Sequence, residues 1–339
     1  METSKALDQF WNDNPQLIRQ FIEIRPNYEK LAEEVSYTLE KRVKSDNIEY
    51  SEITHRTKEL NSFCEKAERK GYKDPIKEIT DIAGVRIVFL YISDLQKIEE
   101  IIEKNFKVIY RDAKFEEEDT ERFGYGALHF LVSLDKKTSG ARYDDLKELL
   151  CEIQVRTTLQ DSWAIVSHHL SYKKKSDIPK PLRRKLNALS GLFEIADDQF
   201  KHLRDKRKSY LEEVKKKITE EPPDFLKEEI NLDNLIEYLN QRLDHRKISR
   251  NEAANLLSEL NTYGYTRFDQ LNDIISRSYD AIKAYEKKYK KSFGPVGVVK
   301  LALWYTDKKY MEDKKKTRSR EYELRLNEFL PLVKQKKGP

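Results

Sequence analysis

The stretch Cys151-Glu152-Ile153-Gln154-Val155-Arg156-Thr157 alternates apolar and polar residues without a break. Successive side chains of an extended segment point to opposite faces. Cys151, Ile153 and Val155 therefore share one face and Glu152, Gln154 and Arg156 the other, which gives this strand a buried side and a chemically loaded side. Further extended segments lie upstream, around 50 to 57, 84 to 92 (GVRIVFLYI), 106 to 111 (FKVIYR) and 127 to 134 (ALHFLVSL), and the opening stretch completes the set at 150 to 157. Val85 to Ile92 is interrupted only by Arg86 and reads as a central strand covered on both faces. With helical patterns between several of the segments, these strands predict an α/β or α+β sheet domain.

The flanks are helical. Residues 26 to 44 place Tyr28, Leu31, Val35, Leu39 and Val43 on one stripe, with Pro26 suited to a first helical position. From Leu159 to about residue 217, Leu182, Leu186, Leu189, Leu192, Phe193 and Ala196 fall at helical spacing. Pro222-Pro223 then breaks the pattern, and everything beyond has a helical period. Ser249 and Glu252 form a capping-box signature, and Thr266 suits the cap of FDQLNDIISRSYDAI. The expected organisation is a sheet domain over 1–220 with helical flanks and an all-α domain over 224–339.

Composition narrows the class. Of 339 residues, 38% are hydrophobic and 37% charged, which favours helices with wide solvated faces over a β-sandwich or a disordered chain. Sixty-five cations against 60 anions leave a net charge of only +5, too small by itself to demand a nucleic-acid partner. Cys64 and Cys151 supply neither a disulfide framework nor a zinc ligand set. No run approaches the roughly 18 apolar residues of a membrane span, and a cytoplasmic chain without a membrane partner is expected.

Four stretches carry polar groups that folding alone does not require. In HRTKELNSFCEK, Arg56 and Lys58 end an extended segment while Ser62 and Lys66 lie four apart on the helix that follows. Cations and a hydroxyl at such a junction suit a polyphosphate, and equally suit a solvated helix face. Asp81 precedes Ala83-Gly84 and a strand bearing Arg86; a carboxylate there suits Mg²⁺, or simply a turn. In RFGYGALHFLV, Gly124 and Gly126 flank Tyr125, freeing an exposed ring to stack on a base, with His129 four residues on; GYG also makes an ordinary turn. Glu152 is a second candidate metal ligand or base, and Trp163, His168 and Tyr172 on the following helix line a wall or fill the core.

Taken in order, R-x-K-x-x-x-S-x-x-x-K from Arg56, DIAGVRIV from Asp81, Tyr125 and His129, and EIQVRT followed by W-A and H-x-L-x-Y-K resemble the synthetase domain of the RelA/SpoT family over roughly residues 25 to 210. The resemblance implies transfer of pyrophosphate from ATP to the 3′-hydroxyl of GDP or GTP, making (p)ppGpp, on a mixed five-stranded sheet related to nucleotidyltransferases. It further implies that Arg56, Lys58, Ser62, Lys66 and Arg86 hold ATP and that Asp81 and Glu152 bind Mg²⁺. Glu152 would also assist deprotonation of the attacking hydroxyl, while Tyr125, His129, Gln154 and Arg156 take the acceptor.

The chain departs from that family where the acceptor would bind. Phe123 and Gly126 replace the family's asparagine and arginine, Glu116 to Asp119 form an acidic loop, and Ser167 stands where a glutamate is usual. No histidine is followed by aspartate, so alarmone hydrolysis is not expected. Beyond residue 224, KKYKK at 287 to 291 and KKKTRSR at 314 to 320 lie among Tyr285, Tyr289, Trp304 and Tyr305. Such interleaving suits RNA, and the resemblance extends to toxins that modify the tRNA 3′ end; solvated helices over buried rings account for the same pattern. Adenine nucleotides as acceptors, a catalytically silent nucleotide-binding regulator, a homo-oligomer and a protein partner for the helical domain are further expectations.

Overall fold

A computed structural model describes residues 10–113, 126–135, 138–170, 180–220, 224–243 and 247–335. The chain divides into two compact units, up to Leu203 and from Arg204. In the first, β1 (Tyr50–Thr57), β2 (Ala83–Phe89), β3 (Phe106–Ala113), β4 (Leu128–Leu134) and β5 (Cys151–Thr157) form one mixed sheet in the order β1-β2-β5-β4-β3. Only the β2–β5 pair is parallel. Helices α1 (Pro15–Ser45), α2 (Leu60–Lys70), α3 (Leu95–Asn105), α4 (Thr158–Leu170) and α5 (Lys180–Glu220) complete the α+β architecture.

The apolar half of the alternation builds the core. Val85 and Ile87 of β2, Phe130 and Val132 of β4 and Ile153 and Val155 of β5 are buried in one cluster. Tyr28, Leu31, Val35, Leu39 and Val43 of α1 fill the same cluster, each such side chain contributing about 1.5–3 kcal/mol when fully buried. Helix α1 begins at Pro15, not at Pro26, because the apolar stripe runs further back through Ile18 and Phe21. Pro26 lies inside the helix, where it removes one backbone bond, and burial of the longer stripe outweighs that loss. Helix α2 stops at Gly71, whose φ of 61° is the left-handed conformation a side chain disfavours.

β2 differs from its expectation in two ways. It ends at Phe89, three residues short of Ile92, and its second face is not apolar throughout: Gly84 and Arg86 are only half-buried. Arg86 thus marks an open polar face rather than an interruption in a doubly covered strand.

In the second unit, Val214 and Ile218 at the end of α5 pack with α6 (Leu232–Arg242), α7 (Arg250–Thr262), α8 (Phe268–Tyr289), α9 (Pro295–Thr306), α10 (Lys308–Lys315) and α11 (Arg320–Asn327). Phe268 anchors this core, its ring centroid 4.9 Å from Phe225 and 4.8 Å from Tyr238. The unit begins at Arg204, within α5 and upstream of the Pro222-Pro223 break. Ser249 and Glu252 form the expected capping box on α7. On α8 the cap is Arg267 rather than Thr266: Gln270 reaches back to both backbone N–H groups, so the side chain one turn inside the helix does the capping.

Candidate active site

Glu152, Gln154 and Arg156 do occupy one face of β5, half-buried, against the buried Cys151, Ile153 and Val155. Paired residues on adjacent strands share a face, so register extends this one outward. Gly84 lies beside Glu152 and Arg86 beside Gln154 on β2. Arg56 then lies beside Gly84 on β1, and His129 of β4 lies on the other side of Gln154. Arg56, Arg86, Glu152, Gln154 and His129 therefore converge from four different strands. A cleft of about 200 Å³ opens here, lined by Arg56, Gly84, Arg86 and Gln154 with Thr54, His55 and Val85. Gly84 adds no side chain to its floor, where a Cβ would make ordinary contact with Arg56 Cγ at 3.7 Å.

Both oxygens of Glu152 are engaged. His129 Nδ1 lies 2.9 Å from Oε1 and Gln154 Nε2 donates to Oε2 at 2.9 Å. With Glu152 ionised its oxygen only accepts, and the contact then assigns the His129 proton to Nδ1. The carboxylate is thereby fixed in orientation by one neighbour from β4 and one from its own strand.

Asp81 stands at the mouth of β2, where Lys58 N–H donates to the Ile82 carbonyl at 2.8 Å and pins β1 to the turn. Its carboxylate receives Lys58 Nζ at 3.0 Å and Lys66 Nζ at 2.9 Å. Burial by itself pushes the Asp81 carboxyl up; the Lys66 hydrogen bond and the Lys58 charge outweigh it and hold the group below the usual carboxylate range. Two cations on one carboxylate leave a surplus of positive charge where β1 meets the turn before β2.

A third carboxylate was not anticipated. Asp161 of α4 places Oδ1 3.2 Å from Arg86 Nη1 and 3.2 Å from Arg156 Nη1. A sequence signal for it exists in Thr157-x-x-Gln160. Gln160 Oε1 accepts from Thr157 N–H at 2.8 Å while Thr157 Oγ1 accepts from Gln160 N–H at 3.1 Å, a reciprocal cap that starts the helix directly after β5. Thr157 Oγ1 also donates to the buried Asp197 at 2.7 Å, tying α5 to the junction. Burial, and next the Arg86 charge, lower the Arg156 pKa, with Asp161 opposing both.

Other expected residues fall elsewhere. Ser62 is exposed on α2, one turn before Lys66. Tyr125 and Tyr172 lie outside the described residues. Trp163 packs edge-on to Phe193 at 6.0 Å, and His168 is exposed. In the second unit Tyr285, Trp304 and Tyr305 are buried core residues, so they offer no stacking surface. Several of their basic neighbours are matched within the unit: Lys315 pairs with Glu323, Lys300 and Lys314 with Glu259, and Lys288 with Glu328.

Residues 55–177 match the model for the region found in RelA/SpoT proteins. The GTP pyrophosphokinase YjbM of Bacillus subtilis (strain 168) is 32% identical over 158 residues, spanning 45% of this chain and 71% of that protein. The chain belongs to the RelA/SpoT family. The GTP pyrophosphokinase YwaC of the same organism is 30% identical over 148 residues, covering 42% of this chain and 69% of its own. A crystal structure of the small alarmone synthetase 1 from Bacillus subtilis bound to its product pppGpp superposes with a TM-score of 0.47 at 26% identity, over 56% of this chain and 98% of that one. As a member of the RelA/SpoT family the chain is a pyrophosphotransferase.

The residues present fit a magnesium ion of the kind that travels with a nucleotide. Among the described residues no group of three His, Cys, Asp or Glu converges as a protein cage would require. Magnesium instead takes one or two carboxylates and fills its shell with phosphate and water. Asp81 and Glu152 are the two carboxylates expected for it: Asp81 lies three residues before Gly84, the strand partner of Glu152, and each is engaged by two neighbouring side chains. Among the described residues no helix is long and apolar enough to cross a membrane.

Proposed function

We propose that this protein is an ATP-dependent pyrophosphokinase that passes the β,γ-diphosphate of ATP to the 3′-hydroxyl of a guanine nucleotide, giving AMP and a (p)ppGpp-type product. The observation that carries the reading is the polar sheet face itself, where register sets Glu152, held by His129 and Gln154, on the same face as Arg56 and Arg86, with Asp81, Lys58 and Lys66 paired where β1 and β2 meet their turns.

Chemically, the acceptor's 3′-oxygen forms a new bond to the β-phosphorus as the bond from that phosphorus to the α,β-bridging oxygen breaks. Such a transfer asks little covalent work of a protein; alignment and neutralisation of spreading charge lower the barrier. Arg56, Lys58, Lys66 and Arg86 provide cations for the triphosphate, and Ser62 on the exposed side of α2 provides a hydroxyl to the same group. Glu152 accepts the 3′-hydroxyl proton. Its orientation by His129 and Gln154 keeps one carboxylate geometry available for that task. Gln154, His129 and Arg156 receive the acceptor's ribose and phosphates, with Tyr125 as the ring for its base. Asp81 and Glu152 would hold Mg²⁺, which when bound neutralises the triphosphate. The helical unit from Arg204 is proposed to act on this chemistry as a regulatory or substrate-binding appendage.

The test is an acceptor screen. Purified protein is incubated with ATP labelled in its terminal phosphates and with GDP, GTP, adenine nucleotides or deacylated tRNA. Label in GDP or GTP, with AMP released in equal amount, is the expected result. Label confined to tRNA or to an adenine nucleotide would overturn the guanine assignment, and label in none would overturn the enzyme reading.

A further inference from the structure

Asp161, paired with the cleft residue Arg86, is a charged side chain that the transfer reaction does not call for. It is 7% exposed, within the first turn of α4, where the helix N-terminus favours a carboxylate. A lone buried carboxylate is costly, so Asp161 must be explained by what it binds. A single oxygen, Oδ1, takes Arg86 Nη1 from β2 and Arg156 Nη1 from β5, both at 3.2 Å. These arginines lie on neighbouring parallel strands, Arg86 paired with Gln154 and Arg156 with Val88, so their like charges are forced close together. Each guanidinium also has its Nε buried without a partner among the described residues. A buried donor left unpaired is unfavourable, so neither arginine is held in place through its own Nε. Asp161 is the carboxylate that both touch.

We propose that Asp161 is a positioning residue that holds Arg86 and Arg156 as a preassembled pair of anion-binding groups, linking the ATP side of the cleft to the acceptor side. The inference rests on the proposed function for the assignment of Arg86 to ATP and Arg156 to the acceptor. It goes beyond that function in giving the third carboxylate, borne on α4, a task without substrate contact. The capping box of Thr157 and Gln160 places Asp161 one residue past Gln160, so helix start and arginine orientation are set together.

The alternative, that Asp161 merely offsets surplus charge, has the opposite sign. Removing a negative charge beside a phosphate site strengthens attraction for phosphates by Coulomb's law. Loss of positioning weakens it. The test compares wild type, Asp161→Asn, Arg156→Gln and the double variant, reading KM for each nucleotide and kcat separately, with thermal melts alongside. Asp161→Asn is expected to raise the acceptor KM by about tenfold, the worth of a charged hydrogen bond, and to raise the ATP KM as well. Added to Arg156→Gln, it is expected to change the acceptor KM no further. An acceptor KM that stays constant or falls in Asp161→Asn, or that multiplies in the double variant, overturns the proposal. If Asp161→Asn fails to melt cooperatively, the double variant, which buries one cation fewer, decides the question. Should wild type transfer to no acceptor, the proposed function fails. Calorimetric binding of α,β-methylene ATP to wild type and Asp161→Asn then reads the positioning claim, weaker binding in the variant supporting it and equal or tighter binding contradicting it.

Discussion

Ile153 and Glu152 are adjacent in sequence and belong to different worlds. Ile153 is fully buried among Val85, Phe130 and Leu31, whereas Glu152 lies half-buried with its two oxygens committed to His129 and Gln154. One strand thus supplies both the foundation of the domain and the floor of its cleft. The apolar face is organised by area alone and tolerates exchange of similar volumes. The polar face depends on named partners: three carboxylates, Asp81, Glu152 and Asp161, each engage two side chains. On the first face a residue is defined by size, and on the second by what it touches.

The sharpest way to break this contrast is to alter the two neighbours in turn. Ile153→Ala should destabilise the first unit by about 2–5 kcal/mol, measured by urea unfolding, with turnover per folded molecule retained at low temperature. A large loss of kcat in the folded fraction would mean that the two faces are not independent. Less severe is loss of a positioning contact on the polar face. Gln154→Ala leaves Glu152 one partner short and should lower kcat by roughly tenfold, the scale of one hydrogen bond to a charged group, with unfolding unchanged. Lys66→Ala should chiefly raise the ATP KM, because it removes one of two cations on Asp81 and leaves Lys58 in place.

The smallest effect is in pH. Asp81's carboxyl is depressed in the folded protein, so the unfolded chain binds more protons between the folded and unfolded pKa values. Its contribution to stability is complete above the ordinary carboxylate range and is lost as pH falls through the lower, folded value. Asp81→Asn should therefore flatten the acid limb of a stability-versus-pH curve measured by urea unfolding. A variant whose acid limb keeps the wild-type slope would show that the lysine pairs do not hold this carboxylate in solution.

The two faces were unequally legible in sequence. Period-two alternation located β5 to within a residue, and the strands near 50 and 128 came out as closely, while β3 runs two residues past the expected 106 to 111; burial leaves a direct imprint on residue type. The same signal identified Glu152, Gln154 and Arg156 as sharing a side. Partnerships were not legible. That Lys58 and Lys66 meet on Asp81 follows from the packing of α2 against the β2 turn, and that Asp161 bridges Arg86 and Arg156 follows from where α4 starts. Pro26 misled for a related reason: its local preference for a helix start is outweighed by Ile18 and Phe21, whose burial is a property of the whole domain. In the second unit, cations among aromatics gave the pattern of a nucleic-acid surface, yet Trp304 and Tyr305 are core and Arg318 covers the Trp304 ring at 4.9 Å.

The central claim is that the polar face of β5 carries out the transfer while its apolar face carries the fold. Glu152→Gln tests it most directly, since the substitution keeps the side chain's shape while removing its charge and one of the two oxygens that accept from His129 and Gln154. Single-turnover transfer from ATP to the acceptor found in the screen should fall by about 100-fold or more, with the thermal midpoint within a few degrees of wild type. Transfer at the wild-type rate by this folded variant would contradict the account.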